Sequence, residues 1–262
     1  MRVARSVTEI RAALEPLRGG STLGLVPTMG AFHEGHLSLF HAARAECDAV
    51  VASLFVNPTQ FGEEADLEAY PRDEARDLAE AEAAGIDFLF APPPVEIYPP
   101  GFQTWVEVAE VSRGLEGDAR PGHFRGVATV CLKLFHIVHP QHVYFGQKDA
   151  QQAALIRTLV RDLELELIVR VLPTVRDADG LALSSRNARL TPEERERALV
   201  LPRALQSAAS SDDPVATARS LLNGLQPDYV AELELGGSTV LAAAARVGSV
   251  RLIDNVLLKG DL

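Results

Sequence analysis

The chain has little of what would make it a disulfide scaffold, a membrane protein or a general nucleic-acid binder. Cys47 and Cys131 are its only cysteines. Two thiols are too few for a stapled secreted fold or a cysteine-rich metal site, and they fit a reducing cytosol. No apolar run is long enough to span a bilayer. Arg2, Arg5 and Arg11 lie near the N-terminus without an apolar signal core, and Glu9 and Glu15 speak against a transit peptide. These absences lead us to expect a cytoplasmic chain with no membrane partner. Basic residues are outnumbered, 25 Lys and Arg against 36 Asp and Glu, for a net charge of −11. Phosphate backbones need a cationic face, so no nucleic-acid partner is expected. A few local cations and backbone amides can still hold a small anion. There is no internal repeat and no low-complexity tract.

What remains is ample apolar material. With 262 residues, 47% of them hydrophobic, the chain can form one large domain or two ordinary ones. Ser6 or Thr8 caps a predicted helix through Leu17. Leu23-Gly24-Leu25-Val26 reads as a buried strand, and Leu37 to Glu46 as a helix. Ala49 to Val56 is nearly all apolar and suits a strand covered on both faces. A helix over 73–84 and a strand over 87–90 follow, then Pro92-Pro93-Pro94 as loop. Thr104 to Val108 reads as a strand, 117–126 as a loop, and Val127 to Val138 as a helix. A strand at 143–145, a helix from Ala150 to about Val160 and a strand over 166–172 complete an alternating pattern. That pattern predicts an α/β fold, a Rossmann-like doubly wound parallel sheet over residues 1–174. From 175 the sequence changes character. A polar stretch expected to be flexible, Val175 to Asn187, leads into helices at 192–208 and 214–222 and two strands, 229–235 and 250–258. We expect a smaller C-terminal α+β domain over 175–262, hinged near 175.

The chemistry centres on Pro27-Thr28-Met29-Gly30-Ala31-Phe32-His33-Glu34-Gly35-His36. A strand, a glycine-containing turn and a helix start place two imidazoles three residues apart beside backbone amides and a positive helix end. Gly35 removes a side chain, so a nucleotide can lie against the backbone. The alternative is a pair of ordinary surface or core histidines, and zinc lacks a recognisable third ligand. Asn57 to Phe61 follows a strand end directly, where ligands gather in such sheets. Gln60 and Gln152 are uncharged double hydrogen-bonders suited to a small polar substrate. Lys148, beside Gly146 and Gln147, can reach a phosphate, or be a solvated lysine. Asp149 can touch ligand or cap the next helix. Ser184-Ser185-Arg186 can grip phosphate, or cap a loop. Arg120, His123 and Arg125 read either as a cationic rim or as an ordinary polar loop, the latter favoured. Asp77 reads either as a carboxylate near the metal or as a solvated helix residue, the latter favoured.

Several motifs then occur together in order: PTMGAFHEGH at 27–36, FVNPTQF at 55–61, YPR at 70–72, RPGHFRGV at 120–127, YFGQKDAQQ at 144–152, DGLALSSRN at 179–187 and RLIDN at 251–255. On these the chain resembles the pantothenate synthetase (pantoate–β-alanine ligase) family of the HIGH-motif nucleotidyl-transferring superfamily, over nearly its whole length. HxGH alone names only the superfamily. FVNPTQF, GQKDAQQ and ALSSRN together narrow it. The resemblance implies ATP-dependent condensation of (R)-pantoate with β-alanine to pantothenate, through pantoyl adenylate, releasing pyrophosphate and AMP. It implies His36, His33 and Lys148 as catalytic. It implies Met29, Gly30, Ala31, Phe32, His33, Glu34, Gly35 and His36 around ATP. Gly146, Gln147, Lys148, Asp149, Val175, Leu183, Ser184, Ser185 and Arg186 would complete that site. Gln60 and Gln152 fall on pantoate, Gln60 also borders the β-alanine position, and Asn57 joins them in binding substrate. It also implies Mg²⁺ with the triphosphate, a lid role for the C-terminal domain, and a homodimer. No protein ligand of the metal can be assigned. Thr59, Ala150 and Leu183 depart from common family residues and bear on pocket shape and affinity, leaving the phosphate-handling groups in place. A related nucleotidyltransferase acting on a phosphorylated substrate would want cations where Gln60 and Gln152 stand. A non-catalytic nucleotide sensor would not need both histidines and both glutamines.

Overall fold

The computed structural model describes residues 1–62, 64–235 and 237–260. Six short strands form one parallel sheet: β1 (Arg2–Ala4), β2 (Leu23–Thr28), β3 (Ala49–Leu54), β4 (Phe88–Phe90), β5 (His142–Gly146) and β6 (Ile168–Leu172). Their order is β1-β4-β3-β2-β5-β6. From β2 the chain builds outward through β3 and β4; later it returns to the other flank of β2 with β5 and β6. The reversal lies between β2 and β5, and a crevice opens beyond the carboxyl ends of strands at such a point.

The connecting helices are α1 (Val7–Leu14), α2 (Glu34–Glu46), α3 (Glu64–Glu68), α4 (Glu74–Ala83), α5 (Pro94–Ile97), α6 (Glu116–Ala119), α7 (His123–Val138) and α8 (Ala150–Asp162). Alternate strand residues serve opposite faces. Leu25, Val51 and Val143 pack with Leu14, Leu134 and Ile156 of α1, α7 and α8. Val26, Val50 and Ala52 pack with Phe40 of α2 and Ala81 of α4. Burial on both faces explains the near-continuous apolar runs of β2 and β3.

The second unit carries α9 (Pro192–Ala198), α10 (Val200–Ala208) and α11 (Pro214–Leu221), then an antiparallel sheet of β7 (Gln226–Leu235), β8 (Ser238–Val247) and β9 (Val250–Lys259), with β8 central. Leu241, Ala243 and Ala245 of β8 face Leu201 and Leu205 of α10. Val240 and Ala242 face Ala150 and Ala154 of α8 in the first unit. The two units therefore meet along small side chains that let strand and helix approach closely.

The structure revises several sequence expectations. Thr104 to Val108 pairs with no strand; the Val106 amide donates instead to the Thr129 hydroxyl at 3.1 Å. The 117–126 loop contains α6, and α7 begins at His123 rather than Val127. Pro94, expected in a loop, sits at the first position of α5, where its missing N–H has no partner to lose. The helix expected over 192–208 breaks between Ala198 and Val200. β1 and β8 are strands that the sequence pattern does not predict. Nor is 175–187 loosely held: Arg176 makes two bonds to Asp254, at 2.7 and 2.9 Å, and Arg195 binds both Asp177 and Asp179.

Candidate active site

The HxGH stretch leaves β2 at the switch point. Gly30 and Ala31 both take positive φ, 83° and 53°, so the chain turns sharply in a conformation that costs Ala31 free energy. Asp77, on α4, holds that turn. Its carboxylate accepts the amides of Ala31 at 2.9 Å and Phe32 at 2.8 Å. Asp77 is only 2% exposed, and burial keeps its carboxyl above the usual range despite the two amides. The expectation of a solvated helix residue is corrected here. A Cβ on Gly30 would lie 2.7 Å from the same carboxylate, so glycine is required on both steric and conformational grounds.

His33 caps α2: the Gly35 amide donates to His33 Nδ1 at 3.1 Å. A neutral His33 then carries its proton on Nε2, leaving that N–H free to donate. The rings of His33 and His36 lie 4.2 Å apart. Burial, with Lys148 nearby, lowers the His33 pKa to about 4; burial, then His33 and Lys148, lowers that of His36 to about 3. Both are neutral at pH 7. His36 Nδ1 is buried without a hydrogen-bond partner among the described residues, an arrangement that has a cost unless a ligand supplies one. Gly35 does more than leave room for a ligand. A Cβ there would meet the His33 ring at 2.8 Å, so its absence also lets the ring fold back over the helix start.

Beyond β3, Asn57 begins a 3₁₀ turn, Pro58–Gln60. Asn57 is 1% exposed and fully engaged. Its Nδ2 donates to Gln60 Oε1 at 3.0 Å and to the Gly126 carbonyl at 3.2 Å; its Oδ1 accepts from Thr59 and from the Tyr98 hydroxyl. Asn57 thus orients Gln60. Across the crevice, the Gln152 side chain makes no hydrogen bond among the described residues, its backbone being held within α8. His123 Nδ1–H donates to the Gln60 carbonyl at 2.8 Å, and Arg120 reaches His123 Nε2 at 3.4 Å. Burial and Arg120 lower the His123 pKa to about 4.

Lys148 and Asp149 follow β5, with Lys148 Nζ 3.7 Å from the Asp149 carboxylate. Asp149 makes no side-chain capping bond to α8. The Ser184–Arg186 loop closes the crevice from the second unit. Ser184 caps a 3₁₀ turn, Ser185–Arg189, through the Arg186 amide, so the capping role and the place at the crevice coexist. Arg186 binds Asp66 at 2.9 Å and lies over the Tyr70 ring.

A cavity of about 220 Å³ fills this crevice. Met29, His33, Gly35, His36, Asn57 and Gln60 line it from β2, α2 and β3. Gly146, Lys148, Asp149 and Gln152 line it beside β5, and Val175 with Leu183, Ser184, Ser185 and Arg186 closes it. Gly30, Ala31, Phe32, Glu34 and Gln147 do not line it. Phe32 packs on His36 and Phe40, Glu34 is exposed, and Gln147 is tied to Asn255 at 3.0 Å.

A family model described as pantoate-beta-alanine ligase matches residues 2–257. The chain belongs to the pantoate–β-alanine ligase family. Pantothenate synthetase of Acidobacterium capsulatum is 49% identical, over 98% of this chain and 97% of that protein. That of Roseiflexus castenholzii is 50% identical over 99% and 100%. The crystal structure of pantothenate synthetase from Thermus thermophilus superimposes with a TM-score of 0.93 at 43% identity, covering 99% of this chain and 100% of that one. The Francisella tularensis ligase, solved with beta-gamma ATP and beta-alanine, gives 0.88 at 37% identity, covering 100% and 99%.

The lining of the cavity also includes side chains to which the motifs give no role in the site, among them Tyr70, Arg120 and His123. The sequence alone favours an ordinary loop for the arginine and histidine, and the YPR motif contains Tyr70 without giving it a role. Arg125, third of that group, points elsewhere and stacks over Trp105 at 5.0 Å.

Proposed function

We propose that this chain makes pantothenate from (R)-pantoate, β-alanine and ATP in two steps at the β2–β5 crevice. The observation that carries the reading is the convergence, in one cavity of a pantoate–β-alanine ligase family member, of two neutral histidines, Lys148, two glutamines and the Ser184–Arg186 loop. A pantoate carboxylate oxygen attacks the α-phosphorus of ATP. The bond to the bridging oxygen breaks and pyrophosphate leaves. The amine of β-alanine then attacks the acyl carbon, loses its proton and displaces AMP, which keeps the former carboxylate oxygen.

Each residue has a task in this scheme. His33, through Nε2–H, and His36 stabilise charge on the transferring phosphate, with His36 the proton donor. Preorganised donors of this kind are worth about a hundred- to a thousand-fold in rate each. Lys148, Ser184, Ser185 and Arg186 hold the polyphosphate. Gln152 and Gln60, the latter oriented by Asn57, hold pantoate, and Gln60 also borders the β-alanine position. Asp77 keeps Met29 to Phe32 in place behind them. Uncharged glutamines at the acceptor end disfavour a phosphorylated acceptor, the alternative substrate class.

ATP enters as its Mg²⁺ complex in this proposal. No three His, Cys, Asp or Glu side chains gather into a metal site among the described residues. That suits an ion carried by the triphosphate rather than by a dedicated protein cage. We place the division between units at residue 175 and read 175–262 as a lid. An acyl adenylate hydrolyses readily, so the site must keep out water until the amine arrives. A homodimer through the N-terminal unit belongs to the same proposal, supported by the stretch at 103–108, which pairs with no strand among the described residues and leaves Trp105 40% exposed. So does a cytoplasmic location, supported by two buried free thiols. No helix of the described residues is long and apolar enough to cross a membrane.

The test is an assay of ATP with pantoate, with and without β-alanine. Pyrophosphate that depends on pantoate, followed by AMP that depends on β-alanine, is the expected result. ADP formation, or pyrophosphate release indifferent to pantoate, would overturn the assignment.

A further inference from the structure

A second cavity, about 370 Å³, lies beside the first and shares Arg120, Lys148, Asp149, Ser184 and Arg186 with it. Its cations are Arg120, Lys148, Arg186, Arg189, Arg246 and Arg251, in a chain whose net charge is −11. Its carboxylates are Asp66, Glu116 and Asp149. Each of these already faces a cation: Asp66 binds Arg186 and Arg189, Glu116 takes both ends of the Arg251 guanidinium, and Asp149 faces Lys148. Arg120 and Arg246 have no carboxylate partner among the described residues.

The placement of Arg246 has a cost. It stands directly opposite Arg251 in the β8–β9 register. Cross-strand partners share a face, and like charges directly opposite destabilise a sheet. Arg251 is relieved by Glu116 and Asp228. Arg246 has nothing comparable among the described residues. An anion in the cavity would relieve it.

Resting on the adenylate-forming reading above, we infer that this second cavity receives the departing pyrophosphate, with Arg246 as its binding residue outside the reaction site. The shared residues make the two cavities contiguous. A small polyanion released at the α-phosphorus can pass from Lys148 and Arg186 to Arg120, and on to Arg189 and Arg246, without crossing an uncompensated carboxylate. Removing pyrophosphate from the line of attack suppresses the reverse reaction and clears the crevice for the amine.

The test uses the full chain and pantoate-dependent exchange of labelled pyrophosphate into ATP. Arg246→Ala lies on an exposed strand position, so the fold is retained. It raises the half-saturating pyrophosphate concentration by about tenfold, the scale of one charge-assisted contact discounted for exposure. KM for ATP and for pantoate stays within about twofold, because Arg246 does not line the first cavity. Arg246→Lys restores much of the pyrophosphate affinity. Unchanged pyrophosphate dependence in Arg246→Ala, with exchange intact, overturns the inference. So does an equal rise for ATP and pyrophosphate, which would put Arg246 on the bound triphosphate. Absence of exchange in the unmodified protein would instead refute the adenylate-forming reading itself, a distinguishable result.

Discussion

Replacing Asp77 tests whether the HxGH turn is held from behind. The carboxylate is 2% exposed and accepts two buried amides, from Ala31 and Phe32. Hydrogen bonds to a charged acceptor are worth about 1.5–3 kcal/mol each. Burying the carboxylate offsets that gain, but removing it leaves two buried amides without an acceptor, so Asp77→Ala should cost about 2–4 kcal/mol. Asp77→Asn should cost roughly half as much, since it keeps one acceptor but turns an NH₂ toward an amide N–H. Stability is read from urea denaturation and adenylate formation from pyrophosphate exchange. With the turn released, Ala31 is free to leave its left-handed conformation and His33 loses its position. A displacement of about 1 Å can cost about a hundredfold in rate, so exchange should fall by about one to two orders of magnitude beyond any unfolded fraction. Asp77→Ala with unmodified stability and exchange would show that the two amides do not hold the turn.

Other predictions rest on the same geometry. Gly126→Ala puts a Cβ 2.5 Å from the Thr59 carbonyl, so α7 must move off the Asn57–Gln60 turn; a loss of about 1–3 kcal/mol in denaturation is expected, with weakened pantoate binding. Gln152→Ala should raise KM for pantoate at least about tenfold while leaving that for ATP nearly unchanged, because Gln152 has no structural partner to disturb; equal losses for both would contradict its assignment. The folded-state pKa values of His33, His36 and His123, about 4, 3 and 4, lie below an unfolded value of about 6.5. The unfolded chain therefore binds more protons between these limits. Stability from these groups is complete above about pH 6.5 and is lost as pH falls toward 4. Calorimetry should show Tm falling from pH 7 to pH 5, less so in His36→Asn, and adenylate formation by folded protein should show no inflection near 6.5.

Much of this was legible in the sequence where local and global signals agreed. β2, β3 and β5 carry apolar runs bounded by turn residues, and HxGH and the two glutamines follow strand ends, so their meeting in one crevice could be anticipated from sheet topology. What was missed depends on distant partners. β8 contains Ala242 to Ala245, a poor strand former by composition; it is a strand because α10 covers one face and α8 the other. Thr104 to Val108 has strand composition but finds no strand to pair with. Asp77 looks like any helical carboxylate until α4 is seen behind the turn. Arg120 and His123 look like loop residues because their acceptor, the Gln60 carbonyl, is about sixty residues away.

The most direct test of the mechanism follows an oxygen atom. Pantoate labelled with ¹⁸O in its carboxylate, turned over with ATP and β-alanine, should deliver one labelled oxygen to the phosphate of AMP, because that oxygen bridges carbon and phosphorus in the adenylate. AMP free of label, or label in orthophosphate, would contradict attack on the α-phosphorus at this site.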